Sequence, residues 1–215
     1  MEEKLQAKNV RIVLFFSHLL ECTSVKLANS LIDELPELGQ PNIFNIPAEA
    51  PNEVKMQMPK IIFNNAKQIN ITVTNVSIDI SIDNDNIEII KNNINKIYKA
   101  LSDNNVHIQA IGVVSRYLYF DINFEKIKEI YYKDEELMES DLINLSWYKK
   151  KDTINIWKTL KTEDKDNVKN LTLSIDINNK GINRIIDIGY INEFLDNQNI
   201  EVNSFKENLE KKIGD

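Results

Sequence analysis

Between Val106 and Phe120 the chain reads VHIQAIGVVSRYLYF, a stretch nearly continuous in apolar and β-branched side chains. A run of this kind is covered on both faces or flanked on both edges, because it does not alternate cleanly between core and water. It predicts a central strand, or two strands broken at Gly112, since glycine weakens a strand interior. The rest of the chain must then supply strands to flank it and helices to cover it.

The preceding segments read as those elements. Val10 to Phe16 is a short apolar run suited to a buried strand. Val25, Ala28, Ile32 and Leu35 recur at helical spacing, which predicts a helix from about Thr23 to Leu38. All five prolines fall between Pro36 and Pro59. Each removes a backbone donor and restricts the residue before it, so residues 36–59 read as a long ordered excursion, partly extended. Such an excursion is often functional or packed over a surface. KIIF and INITV around NNAK read as a hairpin. The apolar phase is odd at Ile69, Ile71 and Val73 and even from Val76 to Ile82, which implies a bulge or bend near Thr74 and Asn75.

SIDISIDNDNIEII, Ser77 to Ile90, has enough carboxylates to suggest a cation or acid/base site. Alternation instead sets Ser77, Asp79 and Ser81 opposite the isoleucines of a half-exposed strand. DNDN suits a turn and helix cap, Glu88 suits the positive end of the helix that follows, and Ile87, Ile90, Ile94, Ile97 and Leu101 form its apolar stripe. Against a calcium loop starting at Asp83, Glu88 stands where the glycine belongs and Ile94 where the bidentate glutamate belongs. The structural reading is the stronger, and no metal is expected.

The order strand, helix, excursion, two strands, helix, strand implies an α+β fold. The expectation is an antiparallel sheet with helices on one face, ferredoxin-like (split βαβ) in its first part. Beyond Asp121, NFEKIKEIYYKDEEL reads as a helix ending in the acidic run Asp134 to Asp141. Trp147 to Leu160 and Leu171 to Ile177 read as strands joined by a charged loop, and Tyr190 to Leu195 and Ser204 to Ile213 as two helices. The expected organisation is a first part, 1–120, and a second α+β part, 121–215, packed on it or continuous with it.

Composition narrows function. The net charge is −7, and Arg11, Arg116 and Arg184 are the only arginines. That disfavours nucleic acid, which needs a basic footprint and usually arginine forks. There is no apolar run long enough for a membrane span and no signal-peptide pattern, so no membrane association is expected. Cys22 is the only cysteine, which points to a cytoplasmic address. Five glycines leave no phosphate-cradling loop or dinucleotide fingerprint, and no cofactor is expected.

MPKIIFNNAKQINITV followed by IGVVSRYLYF resembles a sporadically distributed bacterial family of uncharacterised proteins, in which a strand-rich segment and a helix precede a strand with an Arg-Tyr pair. Here the pair is Arg116 and Tyr117. Tyr119 stands where the family has asparagine, and the family's proline-rich opening is absent. The resemblance implies an α+β fold and no activity.

Two places remain for chemistry. His18, Glu21 and Cys22 are spaced to share a helical face, which would suit an activated thiolate or a partial metal site. The competing reading is a strand-to-helix junction with Cys22 as a small buried residue and His18 at the surface. Arg116, within an apolar strand, must pair with a carboxylate, snorkel or meet a ligand, and a carboxylate on a neighbouring strand is the leading choice. Tyr117 and Tyr119 join it as candidate partner-binding residues. The expectation is a non-catalytic protein-binding or accessory factor of the kind mobile elements and defence loci encode. It has a protein partner and the capacity to self-associate. The alternative is a small-molecule or anion-binding protein, or an enzyme, using Arg116, His18 and Cys22.

Overall fold

The computed structural model describes residues 5–47, 49–64, 69–119, 124–132, 143–165, 168–179 and 184–214. Among them run β1 (Leu5–Phe16), α1 (Ser24–Glu34), β2 (Asn42–Ile43), α2 (Asn52–Gln57), β3 (Ile61–Phe63), β4 (Ile69–Val73), β5 (Ser77–Ile82), α3 (Ile87–Asp103) and β6 (Ile108–Tyr119). The chain continues through α4 (Phe124–Tyr131), β7 (Asn144–Lys151), β8 (Ile154–Lys165), β9 (Val168–Asn178) and α5 (Ile188–Gly214). No helix among the described residues is long and apolar enough to cross a membrane.

The fold is mixed α+β. All nine strands form one sheet in the order β2-β3-β4-β5-β1-β6-β9-β8-β7, with every neighbouring pair antiparallel. Within the run, Ile108–Tyr119 becomes the interior strand β6, unbroken at Gly112 and flanked by β1 and β9. Alternate residues of each strand point to one face, and there Ile71, Ile80, Ile12, Val113, Ile175 and Leu160 are buried in a single core. Helices α1, α3, α4 and α5 close that core.

Local chemistry sets the helix ends. Thr23 caps α1 by accepting from the Lys26 amide at 3.2 Å, and Asn86 caps α3 by accepting from the Glu88 and Ile89 amides. At its far end α3 stops at the buried Asn104, and Asn105 takes a left-handed φ of 58°. In α1 the buried stripe is Leu27, Ala28 and Leu31, with Leu35 buried just beyond it and Ile32 partly buried against the core, whereas Val25 is exposed. The helix ends at Glu34 because Leu35 precedes Pro36, and Pro36–Leu38 form one 3-10 turn. The proline-rich excursion also contains the edge strand β2 and the short α2.

Several expectations are corrected. The phase change near Thr74 is a tight reversal between β4 and β5, not a bulge: Thr74 Oγ1 accepts from the Val76 and Ser77 amides, closing the turn without glycine or proline. Trp147–Leu160 is not one strand but the β7–β8 hairpin, turning at Asp152 with a φ of 52°. In the expected charged loop, residues 161–165 and 168–170 are strand, paired from Glu163↔Asn170 to Lys165↔Val168. The carboxy-terminal pair of helices is one helix, α5, whose buried Ile191, Leu195, Gln198, Val202 and Leu209 continue a single stripe. The acidic run 134–141 lies outside the described residues.

Candidate functional site

The second face of the sheet carries no helix among the described residues, and alternation decides what stands on it. Tyr148, Trp157, Asp176, Val114 and Arg11 lie side by side across β7, β8, β9, β6 and β1. The neighbouring row is Asn178, Gly112, Val13 and Asp79, with Phe15 and Ala110 paired beyond it. Phe15 is 41% exposed and Tyr148 56% exposed, large values for aromatic rings on a sheet.

Over Gly112 these residues leave a groove of 260 Å³, walled by Val13, Phe15 and Val114 and edged by Arg11, Asp176 and Asn178. Gly112 forms its floor because it has no side chain; the nearest atom to an added Cβ is Asn178 Cβ at 3.7 Å. One rim is fixed electrostatically, since Arg11 Nε donates to both Asp79 carboxylate oxygens at 2.9 Å. On the other rim burial pushes the Asp176 carboxyl up, opposed by a hydrogen bond from the Asn178 side chain. Beyond it, Tyr148 and Trp157 lie 4.9 Å apart between ring centroids.

Arg116 stands on this open face, exposed, opposite Ser174 on β9 and Asn9 on β1. The expected carboxylate partner is not there: among the described residues Arg116 makes no ion pair, because the register sets small polar residues beside it. Tyr117 and Tyr119 do not join it. They alternate onto the helix-covered face, where both are buried. Burial pushes the Tyr117 phenol up to about 12, and the Lys206 ammonium sits 4.1 Å from its ring centroid. The Tyr119 hydroxyl has no hydrogen-bond partner among the described residues. The Arg-Tyr pair is therefore split across the sheet.

A separate cavity of 540 Å³ opens at the end of β1, where Ser17 donates its amide to the His107 carbonyl at 2.8 Å. It brings together His18, Glu21 and Cys22 and adds His107 and Lys26. His18, Glu21 and Cys22 precede α1, so they converge from a loop rather than from a helical face. Cys22 is half-buried, and burial pushes its thiol up although Lys26 and Lys60 pull the other way. A thiol so shifted carries little thiolate at neutral pH. No group of three metal-ligating side chains is assembled among the described residues. Arg116 lies on the sheet face and does not share this cavity.

The sequence did not point to the groove. Its walls come from Val13, Phe15 and Val114, which read as core within apolar runs. The usable signal is the alternation of Arg11, Val13 and Phe15 opposite the buried Val10, Ile12 and Leu14. A scan against family models and a search of curated proteins both find no match for this chain.

Proposed function

We propose that the chain is a non-catalytic, cytoplasmic accessory factor that binds a protein partner through the open face of its sheet. The observation that carries this reading is the apolar groove over Gly112, with no helix over it among the described residues, on the same face as the exposed Arg116, which has no carboxylate partner among them. The partner sets an apolar side chain between Val13, Phe15 and Val114 and a carboxylate against Arg116, which completes the charge that the register leaves unmatched. The raised thiol of Cys22 and the burial of Tyr117 and Tyr119 favour binding over catalysis.

The strands that build this face support the finer fold reading. In the order β4-β5-β1-β6, with α1 leading from β1 towards β4 and α3 joining β5 to β6, the first part follows the ferredoxin-like split βαβ arrangement. The β9-β8-β7 meander then widens it. Widening matters for function because it adds Asp176, Trp157 and Tyr148 to the binding face.

The test compares the intact chain with Val114→Asp and Arg116→Glu as baits in extract of the native host. Arg116 is exposed and Val114 is partly exposed on the groove wall, so both variants should remain folded, which thermal melting checks. The reading expects one stoichiometric protein on the native bait, lost from both variants. Equal capture by all three, or turnover of a substrate by the isolated chain, would reject it.

A further inference from the structure

On the reading of the open sheet face as a docking surface, we propose that the corner formed by Tyr148, Trp157 and Asp176 receives an arginine side chain of the protein partner. That arginine lies two residues along an extended segment from the apolar side chain held over Gly112. Asp176 edges the groove, and the register pairs it directly with Trp157 and Trp157 with Tyr148. Directly paired strand residues have Cβ atoms about 5 Å apart, so the carboxylate stands beside the two rings. The ring centroids are 4.9 Å apart with the planes tilted by 39°.

Two observations point to a cation. Asp176 lacks one: it makes no ion pair among the described residues, and only the Asn178 hydrogen bond offsets the burial that pushes its carboxyl up. The guanidinium of Arg11, on the other side of Val114, is committed to Asp79. The corner is also held in place by a relay of side-chain hydrogen bonds. The Tyr148 hydroxyl donates to Asn155 Oδ1 at 2.8 Å, and Asn155 Nδ2 donates to Asn178 Oδ1 at 3.2 Å. Since Asn178 Oδ1 accepts there, its Nδ2 is the donor to Asp176. Each link passes its donor towards the carboxylate, so ring and acid are set before a partner arrives. A guanidinium suits both, because its flat face stacks on an aromatic ring while its edge donates to a carboxylate. Residues two apart in an extended segment share a face at a spacing of about 7 Å. That spacing is the step from the Gly112 and Asn178 row to the Val114 and Asp176 row.

The test follows binding of three peptides to the full chain by NMR: acetyl-Leu-Ser-Arg-amide, its citrulline counterpart, which is neutral but of the same shape, and acetyl-Ser-Ser-Arg-amide. The arginine peptide with leucine should saturate, shifting the Trp157 indole and the amides of 112–114 and 176–178. Each of the other two should bind about tenfold more weakly, the size of one charge-assisted contact or one buried apolar side chain. Asp176→Asn keeps the acceptor for Asn178 and removes the charge, so it should abolish the preference for arginine over citrulline and leave the citrulline peptide's affinity unchanged. Equal binding of the arginine and citrulline peptides at the groove, or a preference that survives Asp176→Asn, would overturn the cation assignment and leave the docking surface standing. Shifts centred elsewhere, or no saturation by any peptide below about 10 mM, would overturn it too; loss of host-protein capture by the Val114→Asp bait would then still support the docking surface. Binding of N-acetyl-arginine amide as tight as that of the tripeptide would replace the partner segment with a small cationic molecule and so reject the proposal.

Discussion

At the scale of single residues, burial is the largest influence on Cys22, Asp176 and Tyr117, whereas the Asp79 partnership is the largest on Arg11. For Cys22 the consequence is slow chemistry: alkylation of the native chain by iodoacetamide at pH 7 should be slower than that of a free cysteine peptide, and should rise only at more alkaline pH. Labelling as fast as an activated thiol would contradict the shift assigned to it. For Tyr117 the sign works as follows. The unfolded phenol ionises near pH 10 and the folded one at about 12, so the unfolded state loses its proton first as pH rises. The stability this group contributes is complete below pH 10 and is lost as pH rises towards 12. Urea unfolding at a series of pH values should show that fall, and Tyr117→Phe should lessen it. Residue-level chemistry was only partly legible in the sequence. Alternation already separates Arg116 from Tyr117, but a missing carboxylate opposite Arg116 depends on register, which placed Ser174 and Asn9 there.

At the scale of elements, α5 ties the sheet together through a buried polar contact. Gln198 donates to Ser115 Oγ beneath the helix, both residues almost fully buried. Gln198→Ala should cost about 1–3 kcal/mol, because it leaves the Ser115 hydroxyl unmet and opens a gap. Ser115→Ala combined with Gln198→Leu should recover much of that loss, a comparison that urea denaturation resolves. Further ties are Lys158 to Glu201 at 3.1 Å and Lys91 to Asp196 at 2.9 Å. Around Trp147 the rings of Tyr131 and Phe205 close the far end at 5.5 and 5.7 Å. β5 and α3, each with one dominant period, and β6, a near-continuous apolar run, could be read from sequence because burial and propensity agree there. The β4–β5 turn could not, since its reversal is closed by the Thr74 hydroxyl and the Thr74 amide to Ser77 carbonyl bond, with no glycine or proline to mark it. Nor could the continuity of α5, where the polar DNQN stretch masks Gln198 inside the buried stripe.

At the scale of the whole molecule, one sheet runs through both parts, 1–120 and 121–215, which the sequence reads as packed together or continuous. The seam between them is the β6–β9 ladder from Gly112 to Tyr119, with α5 lying across β6. Fluorescence of Trp147 and Trp157, both beyond that seam, should therefore lose native signal in the same urea transition as the far-ultraviolet circular dichroism of the whole chain. Two separate midpoints would show that the halves fold independently. The edges are guarded differently: β2 is only two residues long, and β7 ends in Lys149, Lys150 and Lys151, a composition that opposes edge-to-edge pairing. Under the proposed function, association is directed away from the edges and onto the open face. Position-resolved crosslinking in the native host tests this most directly, with a photoreactive phenylalanine analogue placed in turn at Phe15, Val114 and Tyr148 on that face and at Val25 and Ile200 on the helical side. The account predicts an adduct with the same protein from the three sheet positions and none from the two helical ones. Adducts from Val25 or Ile200 with none from the sheet would contradict it.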